Sequence, residues 1–452
     1  MNFNRLITNR LIEWKNKKNR KPLVLRGARQ VGKTTLINQF GTQYKNYIYL
    51  NLEKKEDYSI FTDFSNVQDI VEFLFLRFQI NKIDKSNTLL FIDEIQESVN
   101  AIALLRYFYE EEKDLHVIAA GSLLEQVIKQ VKNFPVGRIE YLYVHPLNFK
   151  EFLLAKNQEQ IINALNQIPI PNYAHELCKK LFHEYIIIGG MPEIVKEYLE
   201  INSLSDLLSV YESIWETYKN DVEKYENNKN QARVIKHIMQ TAHLYLDERI
   251  KFQNFGNSNY KSREVSEAFK NLHDAKIIKL IYPTNSTELP IKPNIQKSPR
   301  MQFLDTGLVN YALNIQAEML KLDDFSTLYK GAIIPHIIYQ ELIAEDNITN
   351  NELNFWVRDA KNSSAEVDLV IRYKNLVIPI EIKSGKVGKL KSLHSFIESV
   401  DHNIAIRVYG GQFSIEKHHT IQLKKEFILI NIPYYLTPQI SNYIDYTLTK
   451  IS

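Results

Sequence analysis

The sequence predicts an α/β fold whose first 146 residues form a parallel sheet covered by helices on both faces. Three observations carry this. Short apolar runs alternate with helical patterns along residues 23–144, and such alternation builds right-handed strand–helix–strand units. Two of the runs, residues 88–92 and 116–120, are continuously apolar, as strands buried on both faces are. The first run, residues 23–26, opens into a glycine-rich turn and then a helical pattern.

The elements follow in order. Residues 47–52 alternate and are β-branched or aromatic, which reads as a second strand. A helix lies around residues 70–78, the third strand at 88–92, a helix at 99–111, the fourth strand at 116–120 and a fifth at 140–144. The pattern then turns helical over residues 148–154, 158–165 and 173–187, broken by Gly189-Gly190-Met191-Pro192. This predicts a helical lid over residues 147–203. A long helix covers residues 204–224, and the polar stretch 225–230 is a linker or loop. In residues 262–272 Val265, Phe269 and Leu272 share one helical face, leaving Arg263, Lys270 and Asn271 for solvent or phosphate. A strand-like run at 275–282 and a loop rich in Pro, Asn and Ser follow, so residues 204–330 read as a winged-helix-like region. Such a module either enters a DNA major groove or serves as a packing spacer. Residues 331–452 form a last mixed α/β region.

At 452 residues the chain is too long for one core. With 44% hydrophobic and 24% charged residues it has the balance of a soluble globular protein. No apolar run is long enough to span a membrane, and residues 1–14 lack the apolar segment of a secretory signal. The one cysteine, Cys178, cannot form an internal disulfide. These features predict a cytoplasmic protein, with Cys178 a small buried apolar residue. The net charge of +3 predicts no partner, although residues 1–33 carry ten Lys or Arg against Glu13 alone. The cluster Lys15, Lys17, Lys18, Arg20 and Lys21 is either a solvated helix face or a nucleic-acid contact.

Gly27-Ala28-Arg29-Gln30-Val31-Gly32-Lys33-Thr34 matches the P-loop pattern between a strand and a helix, with Thr35 following. The glycines let backbone N–H groups curl around phosphate oxygens at a helix N-terminus. Lys33 is expected to reach the β- and γ-phosphates of ATP and Thr34 to hold Mg²⁺. An independent element, the apolar strand ending in Asp93 and Glu94, supplies the rest. Asp93 is expected to hold the metal's water shell, and Glu94 to act as general base on the attacking water. These residues predict ATP hydrolysis.

With these motifs, residues 1–200 resemble an AAA-type ATPase of the additional-strand, catalytic-glutamate class. The resemblance rests on the P-loop, on Asp93-Glu94-Ile95-Gln96 and on Ala120-Gly121-Ser122. It implies that Ser122 senses the γ-phosphate, a residue that equally reads as a helix N-cap. It also implies that Arg138, in Val136-Gly137-Arg138, is an arginine finger acting on a neighbouring subunit, hence a homo-oligomer. The alternative for Arg138 is an exposed loop residue or a partner of Glu140. The chain departs from many such enzymes in having no obvious lid arginine near Gly189-Gly190-Met191-Pro192.

In the last region a helix carries Glu341, and two strands carry Asp368 and Glu381-Ile382-Lys383. The arrangement resembles the restriction-endonuclease-like PD-(D/E)XK fold. The resemblance implies that Asp368 and Glu381 share a divalent metal, that Lys383 positions water and that Glu341 lies close by. Lys386, Lys389 and Lys391 follow. With Phe303-Leu304-Asp305-Thr306-Gly307, the whole chain resembles bacterial and archaeal ATPases that carry a C-terminal domain of unknown function. Two functions are implied: ATP turnover coupled to a DNA-binding or DNA-processing half, or a regulatory switch with an inert nuclease-like domain acting through protein contacts.

Overall fold

The computed structural model describes residues 3–122, 124, 127, 135–201, 203–224, 229–322, 331–345, 347–348, 352–359, 365–384 and 390–451. The chain divides into two compact units. One comprises Met1–Pro146 with Asp274–Ile277 and Asp346–Asn350, and the other comprises Leu147–His273, Ile278–Glu345 and Asn351–Ser452.

The first unit is built on five parallel strands, β1 (Leu23–Arg26), β2 (Asn46–Asn51), β3 (Thr88–Asp93), β4 (His116–Ala120) and β5 (Glu140–Tyr143), in the order β2-β3-β4-β1-β5. Leu89, Leu90, Phe91 and Ile92 are all fully buried, which is why β3 carries no polar alternation. Helices Val67–Arg77 and Val99–Glu111 begin at Asn66 and Ser98, whose side chains accept from the backbone N–H of Asp69 and Ala101. Their apolar faces (Ile70, Leu74, Leu105 and Phe108) pack with Ile48, Leu90 and Val117 into one core. The strand order matters most for function. β4 lies between β1 and β3, so the C-terminal ends of all three strands sit side by side, where open α/β sheets bind ligands.

The second unit holds the helical regions and a seven-stranded mixed sheet. Within it the helix Ser262–Asp274 buries Val265, Ala268, Phe269 and Leu272 and exposes Arg263 and Lys270. After it come β6 (Ile278–Ile281), β7 (Pro283–Thr284) and β8 (Arg300–Phe303). β6 and β8 form an antiparallel ribbon with Ile278 opposite Phe303. The intervening β7 leaves the ribbon and pairs with β9 (Asn354–Val357), so the expected wing is partly drawn into the large sheet. That sheet continues with β10 (Glu366–Tyr373), β11 (Leu376–Ile382), β12 (Ile404–Tyr409), β13 (Ser414–His419) and β14 (Glu426–Pro433), in the order β13-β14-β12-β11-β10-β9-β7. Leu393, Phe396 and Ile397 of the helix Lys391–Ile397 cover one face, against Val367, Val377 and Ala405.

The glycine pair after the helix His175–Ile188 has a packing reason. Gly190 N donates to Asp305 Oδ2 at 2.6 Å. A Cβ on Gly189 would lie 2.2 Å from Asp305 Oδ1, and one on Gly307 would lie 1.9 Å from Ile188 O. Asp305 also caps the helix Thr306–Ala312. The Asp305-Thr306-Gly307 motif is therefore an interlock between two helices. Cys178 is buried, and burial pushes its thiol up to about 11, as an inert core residue requires.

Candidate functional site

The loop from Gly27 to Thr34 is shaped by its backbone. Gly27 has φ of 152°, and a Cβ there would stand 2.3 Å from Val144 O. Gln30 and Gly32 also have positive φ, 62° and 90°, and the helix Lys33–Gly41 starts directly after Gly32. Ala28 and Val31 are buried, as anchors of the loop. Lys33 is buried as well, and its ammonium donates to Gly27 O at 2.9 Å and Ala28 O at 2.7 Å. Thr35 follows Thr34 in the first turn of that helix.

Asp93 ends β3 and meets the loop directly. Thr34 Oγ1 donates to Asp93 Oδ2 at 2.7 Å, and Tyr49 from β2 donates to the same oxygen at 3.3 Å. Burial pushes the Asp93 carboxyl up, opposed by the Thr34 hydrogen bond. Hydroxyl and carboxylate oxygens converging here are the hard donors that suit Mg²⁺. Glu94 is held in the left-handed region, φ 51° and ψ 43°. That sharp turn takes the chain off the strand end. Gln96 Nε2 donates to Glu94 Oε2 at 2.5 Å. Gln96 lies close against Gly121, where a Cβ would stand 2.5 Å from Gln96 Oε1.

At the end of β4, Arg29 Nε donates to Ser122 Oγ at 3.3 Å. Loop and fourth strand are thus tied by a side-chain contact. The N-cap reading of Ser122 turns on residues 123, 125 and 126, which lie outside the described residues. Arg138 lies in the turn before β5 with its side chain 42% exposed, and it pairs with Glu110 rather than Glu140. Its Nε donates to Glu110 Oε1 at 2.9 Å, while Glu140 pairs with Lys17 at 2.5 Å. The basic N-terminal cluster is largely engaged locally. Lys15 donates to Gln43 O, Lys17 binds Glu140 and Arg20 donates to Asp114 O.

In the second unit β10 and β11 pair with Leu369 opposite Ile380, so Asp368 and Glu381 lie across from one another. Leu369 and Ile380 are buried on the other face, while Val367, beside a register shift in β10, packs with Val377. Lys383 Nζ binds Glu381 Oε1 at 2.6 Å, and Asp368 Oδ2 accepts from Ile382 N at 2.8 Å. Burial, reinforced by Asp368, pushes the Glu381 carboxyl up to about 7. Glu341 is turned elsewhere. Both its oxygens accept from Phe149 N, at 3.1 and 3.2 Å, and Tyr185 OH donates to it at 2.8 Å. It caps the helix Phe149–Ala155 because the helix Ile333–Glu345 that bears it is buried almost all round. Lys386 and Lys389 lie outside the described residues. Among the described residues no group of three or more His, Cys, Asp or Glu side chains is arranged to hold a metal. Sequence reasoning did not find Arg300, which reaches Asp368 from β8, nor Tyr49. Arg300 had no local signal, and Tyr49 reads as an ordinary strand aromatic.

Residues 19–153 match the family model of an AAA domain. Residues 179–319 and 330–435 match two further models, the domains of unknown function DUF8612 and DUF4143. An uncharacterized protein of Methanocaldococcus jannaschii is 26% identical over 362 residues, which are 78% of this chain and 72% of that protein. An uncharacterized protein of Haemophilus influenzae is 24% identical over 379 residues, 79% of this chain and 81% of that protein. Among solved structures, the Walker-type ATPase of Pyrococcus abyssi is similar over 69% of this chain and 96% of its own, with 16% identity and a TM-score of 0.44. The AAA match falls on the five-stranded parallel sheet and its Gly27–Thr34 loop: the first unit carries an AAA-type P-loop domain. No helix among the described residues is long and apolar enough to cross a membrane.

Proposed function

We propose that the chain binds ATP at the Gly27–Thr35 loop and hydrolyses it to ADP and phosphate. The observation that carries this reading is the 2.7 Å contact of Thr34 with Asp93, beside a Glu94 whose carboxylate is oriented by Gln96. Thr34 and Asp93 would hold Mg²⁺, which when bound neutralises charge on the phosphates. Lys33 binds the same phosphates through its ammonium, exchanging its contacts with Gly27 O and Ala28 O for phosphate oxygens. Glu94 accepts the proton of the attacking water at a carboxylate oxygen, and Gln96 positions that carboxylate. Ser122, which accepts from Arg29, would read the γ-phosphate. Release of phosphate by the purified chain, lost in Lys33→Ala, tests the reading, and turnover unchanged in that variant refutes it.

ATP turnover is proposed to drive or gate a DNA-binding or DNA-processing second unit. The support is the helix Ser262–Asp274 with its outward Arg263 and Lys270, ahead of an antiparallel ribbon. Strong stimulation of ATPase by DNA is the expected result. The second reading is a regulatory switch that acts through protein contacts, with a catalytically inert nuclease-like domain. It is favoured by the engagement of Glu381 with Lys383 and of Asp368 with the Ile382 backbone. Under that reading DNA leaves turnover unchanged. A cytoplasmic homo-oligomer that places Arg138 against a neighbour's nucleotide completes the proposal.

A further inference from the structure

Four carboxylates, Asp247, Glu366, Asp368 and Glu381, gather around the β10–β11 pair. Arg300 enters among them from β8. Its Nη1 lies 2.9 Å from Asp247 Oδ1 and 3.7 Å from Asp368 Oδ1, and its Nη2 lies 2.5 Å from Glu366 Oε1. The side chain is 11% exposed, and the ring of Phe355 lies 4.8 Å from the guanidinium. Arg249 takes the other oxygen of Glu366 at 2.6 Å, and Lys383 takes Glu381. Three fixed cations thus answer four carboxylates.

A Mg²⁺ ion gives up its water shell reluctantly and demands near-octahedral oxygen ligands. Here Glu366 is held by two arginines, one oxygen of Asp368 accepts a backbone N–H and the other faces Arg300. Glu381 Oε2 has no hydrogen-bond partner among the described residues, but one oxygen cannot hold the ion against water. A dication brought to Asp368 would also stand within ion-pair range of a buried guanidinium, where repulsion is poorly screened.

We infer that Arg300 takes the electrostatic place of a divalent ion. The pocket is an ionic clasp that fastens the β6–β8 ribbon to the β10–β11 pair, and it binds no metal. This deepens the inert-domain reading of the second unit and is independent of the ATP reading.

The test uses the full chain, free of nucleotide and DNA, titrated with Mn²⁺. Metal binding is followed by electron paramagnetic resonance and by melting temperature. The parent and Glu381→Gln chains are expected to bind Mn²⁺ alike. A Mn²⁺ site present in the parent and lost in Glu381→Gln overturns the clasp. A second arm removes the guanidinium in Arg300→Met, which keeps most of the stem. Its melting temperature is expected to fall, and Mn²⁺ is expected to raise it by more than it raises the parent's. A Mn²⁺ response no larger than the parent's also overturns the inference. The parent comparison stands whether or not Arg300→Met folds. Neither arm reads turnover or DNA, so failure here is distinct from failure of the switch reading.

Discussion

Thr34 Oγ1 sits 2.7 Å from Asp93 Oδ2, so a loop hydroxyl and a strand-end carboxylate from sequence positions far apart share one small volume. Their convergence follows from the strand order, since β4 between β1 and β3 fixes how far apart the two strand ends stand. Lys33 completes the set. Replacing Lys33 with Ala removes the buried ammonium proposed to bind the phosphates. Turnover is expected to fall by about 10²–10³ or more, measured as phosphate release at saturating ATP.

Glu94→Gln keeps the side-chain shape and abolishes its basicity. ATP binding is expected to persist while hydrolysis drops by about 10²–10⁴, seen as retained nucleotide after gel filtration. Gln96→Ala should lower kcat less and leave nucleotide affinity unchanged, because Gln96 touches only Glu94 of the reacting groups. Hydrolysis at the parent rate in Glu94→Gln would remove Glu94 as the base.

Arg138 is paired with Glu110, but the pair is half exposed, and solvent-screened pairs of this kind hold weakly. A trans finger contributes about 10³–10⁵ in rate, so the intramolecular contact is too weak to hold Arg138 back. Arg138→Ala is expected to lose turnover with little change in nucleotide affinity. Mixing it with Lys33→Ala chains is expected to restore activity. Verified mixed assemblies without recovery would leave Arg138 a surface partner of Glu110.

Glu341 supplies a pH prediction. Complete burial pushes its carboxyl up to about 8, against opposing hydrogen bonds from Tyr185 and Phe149 N. The folded chain therefore prefers the neutral acid more than the unfolded chain does. This contribution is fully present below the unfolded value near 4.5 and is lost as pH rises through about 8, an effect on the order of a few kcal/mol. Denaturant melts of the parent should weaken across that window, whereas Glu341→Gln should weaken less. Parallel pH profiles for the two chains would show that Glu341 is not the titrating group.

The sequence made the first unit legible because its signals are local. The apolar runs of β1, β3 and β4, and the positive φ of Gly32, lie within a few residues of what they build. The second unit was legible only in part. The alternation around Asp368 and Glu381 revealed their shared face, but Arg300 comes from the end of a Pro- and Asn-rich loop and meets Glu366 across 66 residues. Glu341 was misjudged for a different reason. A buried helix offers no solvent face, so His336, Gln340 and Glu341 all required internal partners, and local pattern does not say which.

The interlock of Gly190 with Asp305 has a consequence for synthesis on the ribosome. The partners are 115 residues apart, so when the helix before Gly190 emerges, the carboxylate that satisfies the Gly190 N–H has not yet been made. Closing so long a loop is slow and costly in entropy. The interlock therefore stays open in the nascent chain until Asp305 and Gly307 arrive.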